Sequence, residues 1–166
     1  MSVSHKAGWL LLASLCLSSG AWAAPTVYGW IEKGVLMPGG VAVKMKLDTG
    51  ALTSSLDARE LHHFKRDGKP WVRFTLVLTD ANTDKEVRQT LERPVERSVT
   101  VRGAGGMEER PTVTMSVCVG DKLYKEWFTL RDRSDMIYPV LLGRRLLAEL
   151  GPVDSSRTFT VQPNCG

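Results

Sequence analysis

Apolar residues recur at every second position through most of the chain, in short runs separated by Gly, Pro, Asp and Asn. A period of two with β-branched and aromatic enrichment is the signature of half-buried strands. Val41-Ala42-Val43-Lys44-Met45-Lys46-Leu47 alternates in this way and delivers Asp48 at its end. Trp71 to Leu78 is a richer run, Asp80 to Asp84 reads as a turn, and Glu86 to Val95 returns antiparallel. Val27 to Trp30 opens a first strand, which Lys33-Gly34 and Pro38-Gly39-Gly40 punctuate. Thr53 to Ser55 is a loop or a strand start, and Val99 to Val101 is a short strand. Pro111 to Val119 and Lys122 to Leu130 form a hairpin across Gly120-Asp121. Ile137 to Leu142 and Thr158 to Val161 are the last two strands. A helical period is expected over Arg144 to Leu150, stopped by Gly151-Pro152. The pattern predicts an all-β domain over residues 24–166 with one short C-terminal helix and no second lobe, repeat or linker.

The opening residues follow a different pattern. A single lysine, Lys6, precedes the apolar run Gly8 to Leu17, and Ala21-Trp22-Ala23 places small residues where a signal peptidase reads. The run is about ten residues, too short to span a bilayer. Leu15 before Cys16 is too bulky for a lipid-attachment box. Residues 1–23 are therefore expected to be a signal peptide, which predicts a periplasmic or secreted protein without stable membrane insertion.

The formal net charge is +4 over 166 residues, and falls to +3 when Lys6, the one charged residue among 1–23, leaves. Basic residues are scattered among acids, with no run interleaved with aromatics, so nucleic acid is not an expected partner. Cys118 and Cys165 remain after processing. Within Pro111 to Val119, Val113, Met115, Val117 and Val119 share one face and Cys118 falls on the polar other. An oxidising compartment favours a disulfide between the two cysteines, the competing reading being a half-exposed free thiol. His62 and His63 are adjacent, with no His-Glu-x-x-His or paired Cys to complete a ligand set. They read as a solvated pair near a helix end, and neither metal nor other cofactor is expected.

The chemistry concentrates in Asp48-Thr49-Gly50-Ala51, followed some ninety residues on by Val140-Leu141-Leu142-Gly143-Arg144. An ordinary turn ending a strand would also use Asp and Gly. Together with Lys46-Leu47, Thr53-Ser54-Ser55-Leu56, Asp67 to Phe74, Glu109-Arg110-Pro111 and Asp132 to Met136, however, the set resembles a retropepsin-like aspartic peptidase. It is similar in particular to the bacterial family long labelled "ATP-dependent zinc protease", which is found beside glutamate ligases of the ATP-grasp class. The resemblance runs from Gly29-Trp30 to about Asp154. It implies a single-lobe closed barrel.

Metal-free peptide hydrolysis needs one group to activate water and another to protonate the carbonyl. Two carboxylates sharing a proton do both. This chain carries one Asp-Thr-Gly, so the resemblance implies a homodimer with Asp48 and its mate at the two-fold axis. It further implies that Thr49 bonds across the axis, that Gly50 permits close backbone approach, and that Leu141, Leu142 and Gly143 pack beneath the loop. Ala51 would line the substrate site. Gly103-Ala104-Gly105-Gly106 resembles the tip of a flap that closes over substrate. In retropepsins an Arg at the position of Arg144 pairs with an acid that is Leu52 here, so two readings stay open: Asp57 as a substitute partner, or a surface arginine at a helix start. The expected activity is that of a periplasmic aspartic endopeptidase acting on a peptide or protein. The alternative is a secreted peptide-binding module that keeps the scaffold without cutting.

Overall fold

The computed structural model describes residues 24–103 and 106–166. The expected signal peptide, residues 1–23, and the flap-tip residues Ala104 and Gly105 lie outside the described residues. The elements are β1 (Tyr28–Met37), β2 (Val41–Leu47), β3 (Ser54–Asp57), β4 (Arg59–Arg66), β5 (Lys69–Thr79), β6 (Glu86–Pro94), β7 (Arg97–Gly103), β8 (Gly106–Val119), β9 (Lys122–Arg131), β10 (Val140–Leu142), α1 (Arg144–Leu150) and β11 (Val153–Thr158).

Alternation explains why the sheet curls. Val41, Val43, Met45 and Leu47 on β2, and Val113, Met115, Val117 and Val119 on β8, all face one interior. Pairings run β1–β2–β10–β3–β9–β8, and β8 pairs back onto β1, so the ring closes. Closure removes the unpaired edges that an open sheet would expose. β11 adds to β1 in parallel and β7 adds to β8 antiparallel. Leu146, Leu147 and Leu150 of α1 pack into the same core as Leu56, Phe128 and Leu142. A separate sheet, β4–β5–β6, contributes Val72, Phe74, Leu76 and Leu91 to that core. This is the expected all-β, single-lobe retropepsin-like barrel with one short helix.

Several local expectations change. β1 does not break at Lys33-Gly34. Gly34 lies within the strand where β1 crosses onto β8, and a Cβ there would meet the Cys118 carbonyl oxygen at 2.7 Å. Glycine at this point allows close strand approach, not a turn. His62 and His63 lie on strand β4, exposed and pointing to opposite faces, so there is no helix end beside them. The last strand is β11, not Thr158 to Val161. The N–H groups of Thr160 and Val161 go instead to the buried carboxylate of Glu32, at 3.0 and 3.3 Å. β10 is shorter than expected, because residues before Val140 form the irregular wall described below. Cys118 is buried, although it sits on the polar face of β8. Residues 163–166 cover it, and a disulfide joins it to Cys165.

Candidate active site

β2 runs parallel to β10, with Leu47 beside Leu142, and this pairing positions the Asp48 loop. The Asp48 N–H continues the ladder to the Leu142 carbonyl at 2.8 Å. The chain then turns back, and the Ala51 N–H donates to the Asp48 carbonyl at 3.2 Å. Inside this turn the Gly50 N–H donates to Asp48 Oδ1 at 2.9 Å. A Cβ on Gly50 would lie only 3.1 Å from that oxygen, so the glycine keeps the carboxylate approachable. The other oxygen, Oδ2, is 3.5 Å from Lys46 Nζ. The Asp48 side chain is 24% exposed. One oxygen is therefore held by backbone and the other faces outward beside a cation.

The turn beneath is equally close. Leu142 is fully buried, and Leu141 nearly so. A Cβ on Gly143 would meet the Thr53 carbonyl carbon at 2.6 Å, so this turn presses directly against the chain leaving the Asp48 loop. The Gly143 N–H donates to Ser54 Oγ at 3.0 Å, and the Arg144 N–H to the Ala51 carbonyl at 2.8 Å. Thr49 and Gly50 are exposed at the tip.

Arg144 does not reach Asp57. Its Nη1 donates to the carbonyls of Thr49 and Gly50 at 2.9 and 3.0 Å, gripping the loop from outside. Asp57 is buried with other partners. Its Oδ1 accepts from the Arg133 N–H at 2.7 Å and its Oδ2 from Arg59 at 3.2 Å. The parallel β3–β9 pairing sets Asp57 beside Arg131, next to the segment after β9 that supplies Arg133.

The Asp48 carboxylate opens onto a cleft of about 640 Å³ lined by Trp30, Lys46, Arg133, Tyr138 and Leu141 among others. Trp30 and Tyr138 meet edge to face, with centroids 6.1 Å apart, and form its apolar wall. Arg133 is 7% exposed, and its guanidinium donates to the Tyr138 carbonyl at 3.2 Å and to Ser55 Oγ at 3.4 Å. Burial pulls its pKa below the ordinary arginine value, and the neighbouring Arg131 adds to this while Asp57 opposes it. A fold that keeps a cation here against desolvation holds a fixed positive charge at the wall of the cleft.

β7 and β8 pair antiparallel as a hairpin, with Gly103 opposite Gly106. Gly106, the first residue of β8, has φ of +108°, a backbone region that favours glycine. Among the described residues, no group of three or more His, Cys, Asp or Glu is placed to hold a metal ion.

Lys46, Arg133 and Trp30 lie in segments that carry the family resemblance, but none of them was given a role at the site from sequence. Lys46 had a legible signal, since it lies two residues before Asp48 and so on the same face of β2. Beyond that resemblance nothing in the sequence placed Arg133 and Trp30 in the cleft, because they reach it from distant parts of the chain.

A model of the family described as "Retropepsin-like aspartic endopeptidase RimB" matches residues 27–164. A probable alpha-L-glutamate ligase of Shewanella pealeana is 33% identical over 118 residues, which is 71% of this chain and 26% of that protein. One of Desulfotalea psychrophila is 29% identical over 109 residues, 65% of this chain and 23% of that protein. The chain thus spans about a quarter of the length of these curated relatives. The crystal structure of a Legionella pneumophila protein of unknown function superposes with a TM-score of 0.69 at 28% identity, covering 84% of this chain and all of that one.

Proposed function

The chain belongs to the RimB-like family of retropepsin-like aspartic endopeptidases, and from that premise we propose that it hydrolyses peptide bonds as a homodimer in the periplasm. The water is activated between Asp48 and the Asp48 of a second copy. The observation that carries this reading is the Asp48 carboxylate itself. It is held by the Gly50 N–H on one oxygen, is open to the cleft, and is present once per chain. Two carboxylates brought close cannot both ionise, so they share one proton and divide the roles of base and acid. The base takes a proton from water as it attacks the carbonyl, and the acid protonates the carbonyl oxygen. The tetrahedral adduct then collapses with proton transfer to the leaving amine, and the dyad recovers its shared proton. Gly50 keeps the first carboxylate oriented, and Arg144 keeps the loop from rotating.

Lys46 and Arg133 favour a substrate with acidic side chains near the scissile bond. Peptides bearing added glutamate are natural candidates, given the glutamate-ligase names of the relatives. No ligase activity is assigned to this chain. The Ala21-Trp22-Ala23 site and the Cys118–Cys165 disulfide support export.

The test is hydrolysis of a peptide library by protein purified from the periplasm, with Asp48→Asn as control. Specific activity is expected to rise with protein concentration until the dimer is saturated, to be absent in Asp48→Asn, and to be confined to chains beginning at Ala24. Tight binding of peptides by both proteins without cleavage selects the binding-module alternative. Activity in a species that sediments as a monomer at every dilution removes the shared dyad.

A further inference from the structure

We propose that Glu126 is a positioning residue for Asp48, acting through Ser54 on the turn that supports the Asp48 loop. The catalytic part of this proposal rests on the peptidase reading above. The structural part does not.

Glu126 lies on β9 between Tyr124 and Phe128, all three facing the barrel interior. It is 6% exposed, and its Oε1 is buried without a hydrogen-bond partner among the described residues. A carboxylate in such a place is costly, and an apolar side chain of similar volume would serve the core better. Its surroundings suggest what it does there. Across the parallel β3–β9 pairing Ser54 stands opposite Phe128, two residues from Glu126 and on the same interior face, and Arg145 and Glu149 of α1 act on the carboxyl through their charges.

Ser54 is fully buried. Its oxygen already accepts from the Gly143 N–H at 3.0 Å. A hydroxyl carries one proton, which needs an acceptor elsewhere. The orphaned Glu126 carboxylate, two residues along β9 on the same interior face, is the acceptor we assign to it. With the proton committed to Glu126, the rotor is fixed and a lone pair is presented to Gly143. The turn held in this way supports Asp48 on both sides. The Leu142 carbonyl takes the Asp48 N–H at 2.8 Å, and the Arg144 N–H goes to the Ala51 carbonyl at 2.8 Å. Gly143 has no slack, since even a methyl group there would strike Thr53. A turn that loosens therefore moves the catalytic loop.

The variants are Glu126→Leu, Glu126→Gln and Glu126→Met in the mature protein. The readouts are native-state amide exchange at Gly143 and steady-state kinetics on a cleavable peptide. Glu126→Leu is expected to speed Gly143 exchange about tenfold and to lower kcat by a similar factor with KM unchanged. Glu126→Gln, whose amide oxygen still accepts from Ser54, restores both. Parent-like exchange at Gly143 in Glu126→Leu overturns the proposal. So does uniform acceleration across the core, which would mark a general loss of stability. If Glu126→Leu does not fold, Glu126→Met, which also removes the acceptor and keeps Ser54, carries the same comparison: fast exchange confined to the turn supports the link, and parent-like exchange overturns it. If no peptide is cleaved even by the parent, the peptidase reading falls and exchange at Gly143 alone decides the role of Glu126.

Discussion

Arg144 Nη1 donates to the Gly50 carbonyl at 3.0 Å, so the residue after the supporting turn holds the exposed end of the loop that carries Asp48. The position where an acid would otherwise engage this arginine is Leu52, 51% exposed, and the guanidinium turns to the loop backbone instead.

Replacing Arg144 tests that grip. The side chain is exposed, so Arg144→Ala should cost no more than about 1 kcal/mol of stability. Activity should suffer more, because a shift of about 1 Å in a reacting group can cost on the order of a hundredfold. The expected result is a kcat/KM reduced by roughly ten- to a hundredfold with a nearly unchanged urea midpoint. A fall in stability that matched the fall in activity would count against a local effect.

Gly143→Ala should fail for steric reasons. Its Cβ would lie 2.6 Å from the Thr53 carbonyl carbon and 2.9 Å from that of Leu52. Backbone on both sides prevents a cheap rearrangement, and overpacking of this kind typically costs about 1–3 kcal/mol. Denaturant unfolding measures that loss, and peptide hydrolysis should fall with it because the displaced segment leads directly from Asp48.

Glu126 gives a pH dependence with a defined sign. Burial is the main cause that holds its carboxyl above the usual 4.5. The folded protein therefore keeps a proton there at pH values where the unfolded chain has already released it. The group favours folding most below 4.5, and that contribution is lost as pH rises through the raised folded value. Glu126→Gln does not titrate. Its urea midpoint should gain on that of the parent as pH is raised from about 4 to about 7, and a constant difference would show that this carboxyl is not the source.

Two fasteners hold the C-terminal segment, and each should matter. Glu32 is buried and accepts from the N–H groups of Gly29, Thr160 and Val161 and from the Thr160 hydroxyl. Glu32→Ala would orphan several buried donors and should cost at least about 2 kcal/mol. Cys165→Ser removes the bond to Cys118 and should cost roughly 2–4 kcal/mol. Since both act on one segment, the double variant should lose less than the sum of the two, measurable by urea unfolding.

Much was legible in the chain because much of it is local. Alternation in Val41 to Leu47 and Val113 to Val119 marked two walls of the barrel, and Gly151-Pro152 marked the end of α1. The Asp-Thr-Gly and Leu-Leu-Gly segments announced their pairing because parallel β2 and β10 each carry their residues on a single short stretch. Strand β4 was invisible, since His62, His63 and Lys65 lie on a sheet with an outward polar face and show no apolar alternation. Gly34 was read as a break because sequence alone cannot separate a glycine that bends the chain from one that admits a neighbouring strand.

The sequence by itself determined the fold class, the family resemblance and the residue types offered for chemistry. Each rests on residues close together in the chain, where backbone periodicity and turn stereochemistry act. The tertiary structure decided the distant partners: Arg144 with the loop carbonyls, Asp57 with the Arg133 N–H, and Glu32 with the tail. Those choices depend on which side chains the closed ring brings within about 3 Å of each other, and hydrogen bonds and ion pairs depend steeply on that distance. Residues far apart in the chain meet there only after the barrel has closed.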